Sequence, residues 1–133
     1  MSFISEGPSS GKPGKVQAIA ILTLVDGILN ILWSFVWVIA ILAGVIASVG
    51  IGLICVPFTI PIIIYSLAVG IIEIIAGAKL LKSPPRKFKV KTIAILEIVN
   101  IISLAFPSLV VGILNLVFYN DPEVKAYIDS LPA

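Results

Sequence analysis

Histidine is absent from this chain, and cysteine occurs once, at position 55. These absences exclude disulfide frameworks, metal or haem sites built on imidazole or thiolate, and acid–base catalysis by histidine. Charged residues are also scarce, at 12% of 133 positions, whereas a water-soluble domain carries about 25%. Because 59% of the residues are hydrophobic, the composition predicts one all-α integral membrane domain that is not an enzyme and holds no cofactor.

Two long apolar stretches define the predicted spans. Residues 16–78 contain only Asp26 and Glu73 as charged residues, and residues 92–119 contain only Glu97. A bilayer core of about 30 Å needs roughly 20 helical residues, so the first stretch holds two long helices or three short ones.

The basic residues decide between these alternatives, because cytoplasmic loops of membrane proteins collect lysine and arginine. Two helices in the first stretch and a hairpin at Pro107 in the second would leave every basic residue on one side. We therefore predict four transmembrane helices in the inner (plasma) membrane, with both termini cytoplasmic. The nine basic residues are Lys12, Lys15, Lys79, Lys82, Arg86, Lys87, Lys89, Lys91 and Lys125.

The predicted layout is a flexible cytoplasmic tail at residues 1–14 followed by one four-helix membrane domain at residues 15–133. The four transmembrane helices are expected over about residues 16–47, 54–82, 89–106 and 108–119. A short fifth helix over about residues 122–130 has a capping residue in Asp121 and an apolar face. We predict that this helix is amphipathic and lies on the cytoplasmic interface of the membrane.

The chain also repeats itself. Residues 15–25, KVQAIAILTLV, align with residues 89–99, KVKTIAILEIV, at an offset of 74. Residues 70–74 align more loosely with residues 112–116, at an offset of 42. The repeat predicts two helical hairpins that run in the same sense, with an insertion of about 32 residues in the first hairpin.

The inserted segment, residues 33–67, contains no charged residue. A helix over residues 16–47 would be roughly 48 Å long, which exceeds the hydrocarbon thickness. Tilt, a kink or re-entrant segment near Gly50, or apolar helix ends above the membrane would each resolve the excess. We expect a break near Gly50 and apolar ends that need a partner or further copies of the chain on the non-cytoplasmic side.

Acids and amides in the spans are the candidate functional groups. Their spacing places them at similar depths on inward stripes, where they predict a polar seam or a cation path. The structural alternative is that they hydrogen-bond across helices and fix the packing register. No lysine or arginine lies in any span to pair with the acids. The residues concerned are Asp26, Asn30, Glu73, Glu97, Asn100 and Asn115.

Two further groups carry predicted contacts. Small residues that allow helices to approach closely are Gly44, Ser48, Gly52, Gly70, Gly77 and Gly112. Basic residues that set the topology and attract anionic lipid headgroups are Lys82, Arg86, Lys87, Lys89 and Lys91. The lipid bilayer is thus an expected partner, whereas a net charge of +2 argues against nucleic acid.

The two repeated strings, together with GILNLVFYNDPEVKAYI at residues 112–128, resemble a group of small bacterial four-helix membrane proteins. The resemblance implies a bacterial inner-membrane setting and brings no reaction with it. From the residues we expect a non-catalytic protein that acts by helix–helix association, as an accessory subunit of a larger membrane complex or as a self-assembling scaffold. The alternative is a small oligomeric cation or proton transporter or channel that uses the intramembrane carboxylates.

Overall fold

The computed structural model describes residues 11–133, and every regular element in that range is a helix. This confirms the all-α prediction for the described part, while residues 1–10 of the predicted tail lie outside it. A 3-10 helix, Ile51–Cys55, precedes α2, and a second, Asn100–Ser103, continues α3. The α-helices are α1 (Gly14–Ala47), α2 (Val56–Leu81), α3 (Val90–Val99), α4 (Phe106–Tyr119) and α5 (Pro122–Ser130).

Two helices are long and apolar enough to cross a membrane. They are α1, with 34 residues, and α2 together with its preceding 3-10 turn, with 31 residues. In the most apolar 18-residue window of each helix, 11% of the α1 residues and 22% of the α2 residues are buried. The core helix of a soluble protein is mostly buried, so these two helices differ from it. The α3 and α4 helices have ten and 14 residues, short of the roughly 20 that a span needs. Four spanning helices therefore stay a prediction.

The first long helix ends in a turn of left-handed backbone at Val49 (φ 52°) and Gly50 (φ 91°). The Ser48 hydroxyl donates to the Gly44 carbonyl at 2.7 Å and accepts from the Gly52 N–H at 2.7 Å. These bonds satisfy backbone groups that a helix end leaves free. The small residues at 44, 48 and 52 thus close this turn, and a methyl group on Gly44 would meet no atom within 4 Å.

The third helix is shorter than the predicted range 89–106. Its α-helical part ends at Val99, and the chain tightens into the 3-10 helix before turning left-handed at Leu104 (φ 60°). The Ser103 hydroxyl donates to the Asn100 carbonyl and side-chain oxygens at 2.7 and 2.8 Å, which favours the tighter winding.

Two tryptophans of α1 hold the end of this 3-10 helix. The Nε1 atoms of Trp33 and Trp37 both donate to the Ser103 carbonyl oxygen, at 2.8 and 3.0 Å. The α3–α4 hairpin therefore turns beside Trp37, while α1 continues for another ten residues. We call residues 38–60 the tip; it contains no charged residue, and none of its residues is buried.

The opposite end carries the basic residues. Lys12 donates to the Leu80 carbonyl, Lys15 pairs with Asp121, and the Arg86 N–H donates to the Lys79 carbonyl. The predicted fifth helix is present, but its apolar residues Val124 and Ile128 are buried with α1, α2 and Phe88 in a hydrophobic cluster. The apolar face of this helix therefore packs against the protein, and its position on the membrane interface stays a prediction.

The Asp121 carboxylate joins α5 to α1. The Lys15 ammonium and the Glu123 N–H, the latter at 3.0 Å, both donate to it and hold the pKa of Asp121 below its usual value. A carboxyl group with a lowered pKa in the folded state stabilises the fold above its unfolded pKa of about 3.9, and that stabilisation is lost as the pH falls through the lowered value.

We expect Asp121→Asn to keep α5, because asparagine also caps helices, but to remove the loss of α5 protection on acidification. Amide hydrogen exchange of residues 122–130, corrected for intrinsic rates and followed from about pH 6 to about pH 2, measures this. Glu123→Gln, which changes an exposed acid of the same helix that takes no part in the Lys15–Asp121 pair, is the matched control and should keep the wild-type profile. Identical profiles for Asp121→Asn and the wild type would contradict the expectation.

Candidate functional site

The interior between the four longer helices is polar, while their outer surface is apolar. Exposed large apolar side chains run along α1 to α4, and they include Phe35, Ile39, Phe58 and Val117. Soluble proteins bury such residues and expose polar ones. We call the buried polar side chains the polar core; they are Thr23, Asp26, Asn30, Ser34, Ser66, Glu73, Glu97, Asn100, Ser103, Ser108 and Asn115.

A five-residue pattern recurs once in each of α1 to α4. It consists of Gly or Ala, then Ile, then Leu or Ile, then Asn or Glu, and finally Ile or Leu. Residues three apart on a helix share a face, so the small residue and the Asn or Glu point the same way. The four copies are GILNI at 27–31, GIIEI at 70–74, AILEI at 94–98 and GILNL at 112–116.

The small residues bring the helices of each hairpin into backbone contact. A methyl group on Gly70 would lie 2.7 Å from the Gly27 carbonyl oxygen, and one on Gly112 would lie 2.7 Å from the Ala94 carbonyl oxygen. Gly77 meets the Ala20 carbonyl in the same way, at 2.7 Å. Side chains that follow the small residue by three positions are thereby held opposite each other.

Each hairpin pairs one amide with one carboxyl group. In the first hairpin, Asn30 Nδ2 of α1 donates to Glu73 Oε2 of α2 at 2.8 Å. In the second, Asn115 Nδ2 of α4 donates to both carboxyl oxygens of Glu97 of α3, at 2.9 and 3.1 Å. Both hairpins thus contain an Asn–Glu pair. In the first hairpin the Asn lies on the first helix, and in the second hairpin it lies on the second helix.

Asn30 links the two hairpins. Its Oδ1 accepts from Asn100 Nδ2 at 2.6 Å and from the Ser108 hydroxyl at 2.9 Å, while its Nδ2 also lies 3.3 Å from Asp26 Oδ2. The Ser108 hydroxyl lies 3.0 Å from Asp26 Oδ1. One amide of α1 therefore contacts polar side chains of α2, the 3-10 helix after α3, and α4.

Three carboxyl groups converge in the polar core. One carboxylate oxygen from each of Asp26, Glu73 and Glu97 lies within 4.8 Å of the others, and all three residues are fully buried. Two buried side-chain atoms of the described chain lack a hydrogen-bond partner, Glu73 Oε1 and Asn115 Oδ1. Both are oxygen atoms, so the core is short of donors or positive charge.

The six residues predicted to form a polar seam or cation path are all buried and lie in this core. Thr23 accepts from Asn115 at 2.9 Å, and Gly27 lies at the helix contact. Neither was among the six candidates, and nor were four serines of the polar core, Ser34, Ser66, Ser103 and Ser108. The recurring five-residue pattern is the signal that would have identified Gly27.

The contacts of the small residues fit the repeat in two registers. Gly70 meets Gly27, Asn30 and Ile31, and Gly112 meets the residues 67 positions after these, namely Ala94, Glu97 and Ile98. Gly77 meets Ala20 and Leu24, and the residues 74 positions after these are again Ala94 and Ile98, so the predicted offset of 74 is also compatible with the contacts. The difference of seven residues is close to two helical turns and leaves the same face inward.

The five residues predicted to attract lipid headgroups all lie at the charged end, opposite the tip. Four are exposed, and Lys87 is half-buried and pairs with Asp129 of α5 at 3.7 Å. Lys87 therefore helps to dock α5, while Lys82, Arg86, Lys89 and Lys91 remain on the surface.

Comparisons of the chain with protein-family models, with curated protein sequences and with solved structures find no match. The resemblance to small bacterial membrane proteins therefore stays a prediction. What the site can do follows from its own atoms, which are carboxyl, amide and hydroxyl groups without a nearby cationic side chain. Such a set can hold helices together by hydrogen bonds or can surround a cation with oxygen ligands.

Proposed function

We propose that this chain is a non-catalytic integral membrane protein that assembles through copies of its own tip into a membrane scaffold. The observation that carries the proposal is the tip itself. It extends beyond the α3–α4 hairpin, carries no charge and has no buried residue. An apolar surface of this kind is a liability in water and is normally covered by protein or lipid.

The dimensions of the helices support insertion into a bilayer. Residues 16–37 of α1 and 61–81 of α2 are each roughly 32 Å long, close to the hydrocarbon thickness of about 30 Å. The remainder of α1 then extends about 15 Å beyond the bilayer on the side away from the basic residues. With about 21 Å of length in α4, the second hairpin inserts from the charged side and turns before the far boundary. The positive-inside rule assigns the charged end, with both termini, to the cytoplasm.

The tip has both surfaces that a contact between copies needs, namely a recess and projecting side chains. A cleft of ≈ 390 Å³ between α1 and α2 is lined by small side chains that include Gly44, Ser48 and Gly52. Large side chains project from the same hairpin, and Val49 and Phe58 are 94% and 75% exposed. A self-complementary surface of projecting and recessed residues favours assembly of identical chains.

The single cysteine tests both the topology and the assembly. Cys55 is exposed in the tip, so we expect an impermeant maleimide to label it from outside intact cells. The matched variant Cys55→Ser with Ser83→Cys should be labelled only after permeabilisation, because Ser83 lies in the exposed loop at the charged end. In membranes, a short bifunctional maleimide should join two wild-type chains through Cys55 and should leave the Ser83→Cys variant monomeric.

The outcomes separate the parts of the proposal. Labelling of Ser83→Cys from outside would reverse the topology. If Cys55 is labelled but no covalent dimer forms, and the chain in mild detergent has the mass of a monomer, self-assembly is wrong. A complex of larger mass without Cys55 cross-links between identical chains would favour the accessory-subunit alternative.

A further inference from the structure

We propose that the polar core binds one divalent metal cation of the Ca²⁺ class, between the carboxyl groups of Asp26, Glu73 and Glu97. This inference goes beyond assembly through the tip and does not depend on it. It rests on three observations: the distances between the carboxyl groups, the two unpartnered oxygen atoms, and the charge of the surroundings.

The spacing of the carboxyl groups fits a cation with long metal–oxygen bonds. Ca²⁺ binds oxygen at about 2.3–2.6 Å, so two ligands on opposite sides of the ion lie about 4.6–5.2 Å apart. One oxygen atom from each of the three acids lies within 4.8 Å of the others, so a single ion of this size can lie among all three side chains. Mg²⁺ lies about 2.0–2.1 Å from its oxygen ligands and requires near-ideal octahedral geometry, so its site is smaller and more regular.

The unpartnered atoms point to a missing positive group. Glu73 is fully buried and Asn115 is 1% exposed, and in each side chain one oxygen atom has no donor. Asn115 contacts the cluster through its Nδ2, which donates to Glu97, and its Oδ1 is a buried acceptor on the same amide group without a donor. Carboxylate and amide oxygens are the ligands that hard divalent cations prefer.

The excess of negative charge in the polar core also favours a bound cation. Three carboxylates in an apolar surrounding are costly unless they are paired, and the spans contain no lysine or arginine. A divalent cation offsets two of the three charges. The amide groups of Asn30 and Asn115 donate to Glu73 and Glu97 respectively, and these hydrogen bonds help to disperse the charge that remains.

The test measures metal content directly. The full chain is purified in mild detergent with CaCl₂, passed over a desalting column and analysed for Ca²⁺, Mg²⁺ and Mn²⁺ by mass spectrometry of the elements. We expect close to one Ca²⁺ per chain and a lower thermal-unfolding temperature after treatment with a calcium chelator. Because protons compete for the same oxygens, the Ca²⁺ content should fall on acidification.

Two sets of variants assign the site. Glu73→Gln and Glu97→Gln keep the size and hydrogen-bonding capacity of the side chains, and each should weaken Ca²⁺ binding by about tenfold or more. Glu123→Gln and Asp129→Asn remove exposed acids of α5 and should leave it unchanged. Circular dichroism and elution volume establish that each variant is folded before its metal content is compared.

Three results would overturn the proposal. The first is a folded wild type that holds none of the three metals in stoichiometric amount. The second is Ca²⁺ that remains bound in the folded Glu73→Gln and Glu97→Gln variants. The third is an equal loss of Ca²⁺ in the α5 variants, which would place the ion at the charged surface.

Discussion

Gly70→Ala is expected to destabilise the protein by about 1–3 kcal/mol, although it adds a single methyl group. That methyl would lie 2.7 Å from the Gly27 carbonyl oxygen and 3.1 Å from Asn30 Cβ. Because the nearest atom belongs to the backbone, α1 and α2 must move apart, and the Asn30–Glu73 hydrogen bond must lengthen with them. Gly70→Leu, with a larger side chain at the same contact, should prevent folding.

Gly14 provides the matched control within the same hairpin. It is the first residue of α1, is exposed, and an added methyl group there would have no atom within 4 Å. Gly14→Ala should therefore stabilise the protein by up to about 1 kcal/mol, so the two substitutions are expected to act in opposite directions. Urea or thermal unfolding in the same detergent measures both. Equal effects at the two positions would show that the Gly27–Gly70 contact does not hold the hairpin together.

Asn30→Ala is expected to cost about 2–4 kcal/mol and to disturb both hairpins. The side chain takes part in hydrogen bonds with Glu73, Asn100 and Ser108, and its loss leaves all three buried groups short of a partner. Leaving a buried polar group unpaired costs more than the hydrogen bond contributed.

Two variants with small expected effects serve as comparisons for Asn30→Ala. With a calcium chelator present, Glu73→Gln should change the unfolding free energy by less than about 1 kcal/mol, because the amide oxygen can still accept from Asn30. Asn120→Ala, at an exposed position after α4, should have an effect within about 0.5 kcal/mol. If Asn30→Ala were as mild as Asn120→Ala in the same unfolding assay, the polar core would not be what joins the hairpins.

Much of the polar core could be predicted from sequence, because its signal is strong in an apolar background. Asp26, Glu73 and Glu97 are the only charged residues of their stretches, and helical spacing places the amides on the same faces. The pairing of Asn30 with Glu73 and of Asn115 with Glu97 could not be predicted from depth alone. Pairing depends on which small residues meet, and helical spacing alone does not determine that.

Two registers of the repeat have a common physical origin. A shift of seven residues is nearly two complete turns, so offsets of 67 and 74 turn the same side of α3 inward. The longer identity between residues 15–25 and 89–99 gives the offset of 74. The contact of Gly112 with Ala94 is matched by that of Gly70 with Gly27 at an offset of 67 and by that of Gly77 with Ala20 at an offset of 74.

The ends of the helices were harder to predict than their faces. The break near Gly50 follows from local signals, and the backbone turns left-handed at that residue. The early end of α3 depends instead on Trp33 and Trp37, which bind the Ser103 carbonyl from a helix about 70 residues away. For α5, the periodicity gave the apolar face, while the choice between lipid and protein as its contact required the tertiary structure.

The exchange of Asn and Glu between the two hairpins bears on the order in which the chain can fold. Each hairpin contains its own amide donor for its own buried acid. Glu73 can therefore gain its partner before α3 and α4 have been synthesised, and Glu97 can gain its own without the first hairpin. We expect the two hairpins to form as separate units and then to dock through Asn30.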